Sequence, residues 1–276
     1  MSHIESEFRP IQRTPAPEVG VRHLPGRRTG HVSAQRSLAQ GVYMLTIRDA
    51  PVARNARPGQ FVNLYPNDRT AMLPRPFGIA GVHGDEFDLI YQRVGAGTRA
   101  FARLSAGDPI DLVGPLGRPY DLTAAGDYLL IGGGLGVPPL ISAAQGLAGR
   151  GDVRAIALFG YRDARFADGL VGRFADRTLS VSACEGNVIT LLDRIEPELE
   201  VEATTILSCG PIPMMRAVAA WAGRRSIRSQ FSLEERMGCG YGACLACVVD
   251  TTDGRLRVCK DGPVFAGGRL EWETAR

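Results

Sequence analysis

DYLLIGGGLGVPPLISAAQGLAG, residues Asp127 to Gly149, places an apolar strand, a glycine turn and a helix in one short segment. Tyr128 to Ile131 run into Gly132, Gly133, Gly134 and Gly136, and Pro138 and Pro139 follow. Proline suits the first turn of a helix, where a missing N–H is no loss. Glycines between strand and helix let a dinucleotide pyrophosphate approach the backbone and the helix N-terminus. They also serve tight strand–helix packing, so this turn alone leaves both readings open. Further along, VRAIALFGYRD (Val153–Asp163) is a second apolar strand, and ATTILSCGPIPMMRAVAAWAG (Ala203–Gly223) is a third strand with its helix. Buried strands alternating with helices predict a parallel α/β domain over residues 123–225. Cys209, Gly210 and Pro211 stand at the carboxyl end of that third strand. Open α/β sheets bind ligands along that edge, and two glycine-bearing turns on it point to a nucleotide cleft.

Upstream, short apolar runs alternate with turn residues: VYMLTIRD (Val42–Asp49), GQFVNLYP (Gly59–Pro66), RPFGIAGV (Arg75–Val82), EFDLIYQRV (Glu86–Val94) and DPIDLVGPLG (Asp108–Gly117). This rhythm predicts a small antiparallel barrel over 31–122. Arg75 sits between Pro74 and Pro76, where a stiff turn can aim a guanidinium at a diphosphate; a solvated arginine is the plainer reading. VGAGTRAFARL (Val94–Leu104) puts Gly95, Gly97 and Thr98 at a helix start, another place for N–H groups and a hydroxyl to hold phosphate. A phosphate site on each of two domains suggests two nucleotide cofactors. Residues 1–30, rich in Pro, Gly, Arg and Glu, read as a flexible tail.

The segment 226–276 holds MGCGYGACLACVVDTTDGRLRVCKDGPVF (Met237–Phe265), with Cys239, Cys244, Cys247 and Cys259 spaced Cys-x4-Cys-x2-Cys-x11-Cys. Three cysteines on one loop with a distant fourth match the plant-type 2Fe–2S arrangement, whereas zinc clips usually pair their ligands in two close couples. Gly238, Gly240, Gly242 and Ala243 are small enough for the loop to wrap an inorganic core and aim N–H groups at sulfur. Structural zinc and disulfides remain the alternatives. Cys184 reads as an incidental thiol, and Cys209 as a candidate functional one.

Apolar content of 45 %, 22 % charged residues and a net charge of +3 describe an ordinary globular protein. Arginine supplies nearly all the positive charge, Lys260 being the one lysine, and no basic stripe with interleaved aromatics suggests nucleic acid. No run of about 18 apolar residues suggests a membrane span, and the start has no pattern of a secretory signal. The expected location is cytoplasmic, where clustered cysteines usually serve metal or redox chemistry. His3, His23, His31 and His83 are scattered, so no histidine acid–base set is expected.

Motif content and motif order over residues 31–266 resemble the electron-transfer subunits of NAD-linked dihydroorotate dehydrogenase, within the ferredoxin–NADP reductase superfamily. The cysteine segment is the most specific part of the likeness. The resemblance implies a flavin-binding barrel, a nicotinamide-binding α/β domain and a C-terminal 2Fe–2S module in an oxidoreductase subunit of pyrimidine biosynthesis. It implies FAD against Arg75, Pro76, Phe77, Gly78, Tyr91, Gln92, Gly97 and Thr98. It places NAD(H) over Gly132, Gly133, Gly134, Gly136, Gly210 and Pro211, with Cys209 near the reacting ring. It also implies an FMN-containing catalytic subunit, joined in a heterotetramer. The superfamily's reductases for hydrogenases, oxygenases or ferredoxins share much of the pattern, and a zinc-holding module without flavin is the non-enzymatic alternative. Two departures stand out: Gly78 replaces the family's usual Ser or Thr, and Pro74 an often-present arginine. SACEGNVITLL (Ser182–Leu192) is shorter than the usual glycine-rich loop. Arg162 and Arg165, after the second strand, are positioned for a 2′-phosphate or simply for solvent.

Overall fold

The computed structural model describes residues 26–67 and 73–272. Six strands close an antiparallel barrel: β1 (Arg28–Ala39), β2 (Val42–Arg48), β3 (Phe61–Tyr65), β4 (Arg75–His83), β5 (Glu86–Gln92) and β6 (Pro109–Leu116), in the order β1-β2-β5-β4-β3-β6. Strand alternation decides what each residue does. On β5, Phe87, Leu89 and Tyr91 fill the barrel, while Ile90 points outward into the core of the next domain. Two short helices complete this unit, α1 (Ala50–Asn55) and α2 (Ala96–Phe101). Asp49 caps α1 by accepting from Val52 N at 2.8 Å, and it is held in place by Arg28. Most of the expected tail lies outside the described residues, but Arg28 to Gly30 already belong to β1.

The second unit is a sheet covered on both faces. It contains β7 (Gly126–Gly133), β8 (Val153–Tyr161), β9 (Arg177–Ser182), β10 (Thr204–Cys209) and β11 (Arg228–Ser232). The intervening helices are α3 (Pro138–Leu147), α4 (Asp168–Val171), α5 (Val188–Ile195) and α6 (Ile212–Gly223). Tyr128, Leu129, Leu130 and Ile131 are fully buried, because the two faces of β7 enter different cores. Leu129 and Ile131 pack with α5 and α6, and Tyr128 and Leu130 with α3. A continuous apolar run is what such a doubly covered strand requires. The strand order β11-β10-β7-β8-β9 makes β7 and β10 the place where the connections diverge.

The chain then forms the hairpin β12 (Val248–Thr251) and β13 (Gly254–Arg257), the short helix α7 (Val258–Asp261) and β14 (Val264–Ala266). β14 pairs antiparallel with β11, Phe231 opposite Phe265. The cysteine segment therefore leaves the sheet after β11 and returns to it at β14. Cys247 and Cys259 share one core with Phe231, Val258 and Phe265.

Two glutamines join these units by mimicking a strand edge. Gln145 of α3 donates to Val82 O at 2.7 Å and accepts from Val82 N at 2.9 Å, so the helix grips the backbone of β4. Gln230 of β11 does the same for Asp121, at 2.7 and 2.8 Å. A single side chain that satisfies both backbone groups is costly to remove. Gln145→Ala is expected to lower stability by about 1–2 kcal/mol, read from chemical denaturation. An unchanged midpoint would show that water replaces both bonds at no cost.

Candidate functional site

Two clefts open where β7 and β10 diverge. The larger, about 660 Å³, is lined by Gly133, Gly134 and Gly136 at the end of β7, Gly210, Pro211 and Ile212 after β10, and Tyr161 and Arg162 at the end of β8. The smaller, about 270 Å³, has Pro76, Phe77, Gly78, Tyr91, Gln92 and Thr98 on the barrel side, facing Pro138, Pro139 and Cys209. Gln92, Leu135 and Glu234 line both, so the two form one groove with a shared waist.

Packing explains most of the glycines. A Cβ on Gly136 would stand 2.3 Å from Cys209 O, and one on Gly133 would stand 2.6 Å from Met214 Sδ. A Cβ on Gly132 would strike Leu140 and Val137 at 2.9 Å, and one on Gly210, at φ +149, would lie 2.9 Å from Gly133 N. The turns after β7 and β10 thus touch backbone to backbone, and tight packing alone requires these four residues. Gly134 differs: at φ +53 its Cα faces open space in the larger cleft. It is the position from which a ligand can approach the turn.

The barrel residues divide as well. Pro76, Phe77, Gly78, Tyr91, Gln92 and Thr98 come together in the smaller cleft, while Arg75, Gly97 and Gly132 are in neither lining. Arg75 Nη1 donates to Leu73 O at 2.6 Å, and a Cβ on Gly97 would lie 2.9 Å from Arg75 Nε. The arginine therefore braces the start of β4 against α2. Thr98 Oγ1 accepts from Val94 N at 2.9 Å and Gly95 N at 3.0 Å and donates to Gly95 O. Its hydroxyl organises its own turn, and the residue lines the smaller cleft. Tyr91 is locked by donating to Gln35 Oε1 at 2.7 Å and by packing with Tyr43, Phe77 and Phe101. At Gly78 a Cβ would meet Pro139 at 3.5 Å, an ordinary contact, so the fold does not itself demand glycine there.

Cys209 is buried in the wall of the smaller cleft. Burial pushes its thiol well above the usual range, and the nearby Glu234 carboxylate adds to this, so it stands as a neutral thiol. Glu234 lines both clefts and is solvent-exposed, yet desolvation by the protein around it raises its carboxyl pKa above the usual range. Arg165 is paired with Glu185, a carboxylate held near 2 by Ser182 and that arginine. Arg162 and Asp163 line the larger cleft together. A paired arginine and an adjacent acid are a poor cradle for a 2′-phosphate.

On the cysteine loop the thiols fall into two couples. Cys239 N donates to Cys244 Sγ and Cys259 N to Cys247 Sγ, each at 3.4 Å. Two cysteines per iron is what a four-cysteine two-iron cluster uses. Among the described residues no three ligand-type side chains gather as they would on a single ion. Burial alone would raise the Cys239 thiol, but N–H groups of Tyr241, Cys244 and Ala243 outweigh it and bring it down to about 6. Gly240 (φ +80) and Gly242 (φ +90) sit where a Cβ would collide with Asn63 at 2.0 Å and Lys260 at 2.7 Å. The donors, the thiolate-favouring loop and the missing side chains fit an iron–sulfur cluster. Cys239 and Cys244 are the outer pair, Cys247 and Cys259 the buried one.

Sequence reasoning did not single out Leu135, Glu234 or Asn63. Glu234 was within reach of the same rule that found the two turns, since it follows β11 on the same sheet edge. Asn63 carried no signal, because its partner, Cys239 O, lies in a distant part of the chain.

The iron–sulfur cluster binding domain of dihydroorotate dehydrogenase B matches residues 234–271. The chain is 36 % identical over 255 residues to the dihydroorotate dehydrogenase B (NAD(+)) electron transfer subunit of Lysinibacillus sphaericus, covering 87 % of this chain and 96 % of that one. The Listeria monocytogenes serotype 4a subunit of the same name is 37 % identical, with 85 % and 94 % covered. Among solved structures, an NADH-dependent reduced ferredoxin–NADP oxidoreductase studied for flavin-based electron bifurcation superposes with a TM-score of 0.79. It is 26 % identical, with 88 % and 90 % covered. The ferredoxin reductase of carbazole 1,9a-dioxygenase shares the fold at TM-score 0.58 and 20 % identity, with 74 % and 68 % covered.

The glycines separate by experiment. Gly136→Ala is expected to destabilise the protein by about 3 kcal/mol or more, since a backbone carbonyl occupies the space. Gly134→Ala is expected to cost only about 1–2 kcal/mol, the strain of the left-handed conformation, and to weaken nicotinamide-nucleotide binding in titration. Equal losses of stability in both variants would reverse this division.

Proposed function

Because the chain belongs to the family of NAD-linked dihydroorotate dehydrogenase B electron-transfer subunits, we propose that it carries electrons between NAD(H) and the FMN of a dihydroorotate-oxidising catalytic subunit. It is an oxidoreductase subunit that uses FAD, a 2Fe–2S cluster and NAD(H). A flavin exchanges hydride with a nicotinamide and single electrons with an iron–sulfur cluster, which is the conversion this subunit needs. The observation that carries the reading is the shared waist: Gln92, Leu135 and Glu234 border both clefts, so two planar ring systems would meet there.

The residues have separable tasks. Pro76, Phe77, Gly78 and Tyr91 would hold the flavin in the smaller cleft, and Gly134 with the Gly210–Pro211 turn would hold the nicotinamide nucleotide in the larger. Cys209, protonated and buried, supplies a soft uncharged wall at the meeting point and takes no nucleophilic part. Leu135, Pro138 and Pro139 would give a flavin in the smaller cleft an apolar wall. Cys239, Cys244, Cys247 and Cys259 would ligate the cluster in the two couples described.

The family implies a catalytic partner subunit; its FMN, a heterotetrameric assembly and a cytoplasmic location belong to this proposal. No helix among the described residues is long and apolar enough to cross a membrane. Support for docking at the cluster comes from Tyr241 and Leu245, which are 58 % and 62 % exposed on the loop between the cysteines. Large apolar side chains held out to water beside a redox centre suit a protein partner.

The isolated protein is expected to show flavin bands and broad red-brown absorption; a colourless, zinc-bearing protein overturns the reading. Mixed with the catalytic subunit, it is expected to give dihydroorotate-dependent NADH formation. Activity with a ferredoxin or an oxygenase instead, cofactors intact, would assign it to a different redox partner. Tyr241→Ser and Leu245→Asn are expected to leave the spectrum unchanged and raise the Kd for the catalytic subunit about tenfold. Unchanged affinity would place the docking surface elsewhere.

A further inference from the structure

Asn63 is an unusual residue for the middle of a barrel strand. It lies on β3, is fully buried, and its Oδ1 has no hydrogen-bond partner. Its Nδ2 crosses out of the barrel to donate to Cys239 O at 2.9 Å. A buried amide with one unsatisfied atom costs about 1–3 kcal/mol compared with an apolar side chain of the same shape. Such exceptions ask for a reason.

The surroundings supply one. On β3, Val62 and Leu64 point into the barrel core, so Phe61 and Asn63 share its outer face. Phe61 lines the smaller cleft, and Asn63 sits opposite Pro76, which lines the same cleft from β4. The side chain that touches the Cys239 peptide is therefore anchored on the strand next to residues that line the flavin-side cleft, without lining it itself. On the loop side, Gly240 adopts φ +80, and a Cβ there would be 2.0 Å from Nδ2 and 3.0 Å from Oδ1. The loop backbone thus lies directly on the amide, and glycine at 240 is required by that contact. Elsewhere the loop is tied to its own segment: Arg257 Nη1 donates to Gly242 O at 3.2 Å, and Val258 N to Cys247 O at 2.9 Å. Arg118 N, just after the barrel, donates to Gly262 O at 2.6 Å, which secures the chain beyond Cys259. The outer couple, Cys239 and Cys244, has Asn63 as its side-chain tie to the barrel.

We infer that Asn63 is a positioning residue for electron transfer: by holding the Cys239 peptide against β3, it fixes the outer cysteine couple relative to the flavin-side cleft. The role rests on the 2Fe–2S reading above. It belongs to the transfer between flavin and cluster and leaves hydride exchange at the waist untouched, since Asn63 lines neither cleft. Hydrogen bonds around ligating sulfurs tune iron–sulfur potentials, and outer partners of a ligand typically matter by about 10–100-fold.

The test uses the flavin- and iron-loaded protein. Asn63→Leu keeps the volume and removes the bond; Asn63→Asp keeps the shape but cannot donate to the Cys239 carbonyl and brings a negative charge. In rapid mixing with NADH, both are expected to bleach the flavin at the normal rate. Both are expected to reduce the cluster about tenfold more slowly and to alter its electron paramagnetic resonance line shape. Asn63→Asp should also lower the cluster's midpoint potential. Gly240→Ala, which pushes on the same contact from the loop side, should reproduce the slow cluster reduction. Its penalty should be smaller in an Asn63→Ala background, where the colliding atoms are gone. Normal cluster reduction and an unchanged line shape in both Asn63 variants, whatever their melting temperatures, would overturn the inference and leave Asn63 a structural amide. Slowed flavin bleaching to the same degree would also overturn it, since the effect would then lie upstream. A wild-type protein that contains no iron defeats the cluster reading itself, a result distinct from either.

Discussion

The structure depends on how closely two turns approach each other. Gly136 presses against the carbonyl of Cys209, and Gly210 against the backbone of Gly133, with no room for a single methyl group. Above this contact β7 leads to α3 on one face of the sheet while β10 leads to α6 on the other. The diverging connections open a groove, and the close-packed glycines give it a floor of bare backbone. Had either turn carried side chains, the strand ends would have been forced apart and the groove filled. The same constraint places Cys209 in the wall of the smaller cleft, buried and protonated.

Everything else is held in register with that groove. α3, which begins at the glycine turn, grips β4 through Gln145 and so fixes the barrel's flavin-side wall relative to the sheet. Val42, Ala80 and Ile90, on the outside of the barrel, join the same core as α3. The two clefts share Gln92, Leu135 and Glu234 beside this apolar docking. Ligands bound in the two clefts would thereby be held close to each other by the fold itself.

The cysteine segment is an excursion from the sheet, begun after β11 and ended at β14. Its polarity is set by where the cysteines fall. Cys247 and Cys259 are buried in the core with Phe231 and Phe265, whereas Cys239 and Cys244 lie toward the surface beside Tyr241 and Leu245. One side of the cysteine set is thus covered by protein, and the other faces solvent. The N–H groups that favour the Cys239 thiolate come from the loop itself, which explains why small residues crowd the spaces between the ligands.

Local patterns were enough to read three units in their correct order. Alternation marked the barrel strands, a continuous apolar run marked the covered strand β7, and cysteine spacing marked the ligand loop. These signals are legible because they are periodic or local: a pleat repeats every second residue, and a thiolate cage forms mostly within one loop. The sequence likewise placed both glycine turns on one sheet edge. What it left undecided was why the glycines are there. Distances across the turns account for four of them by packing and leave Gly134 facing the open cleft, because a close approach between distant segments has no local signature. Arg75 and Thr98 read as phosphate ligands in the sequence; the fold adds that the arginine lies against α2 and that the threonine caps it, contacts that depend on side-chain direction rather than residue type. Glu234 at the waist and Asn63 beneath the cysteine loop were decided by tertiary structure alone. Each acquires its meaning from groups far away in the chain, and only the folded packing brings those groups together.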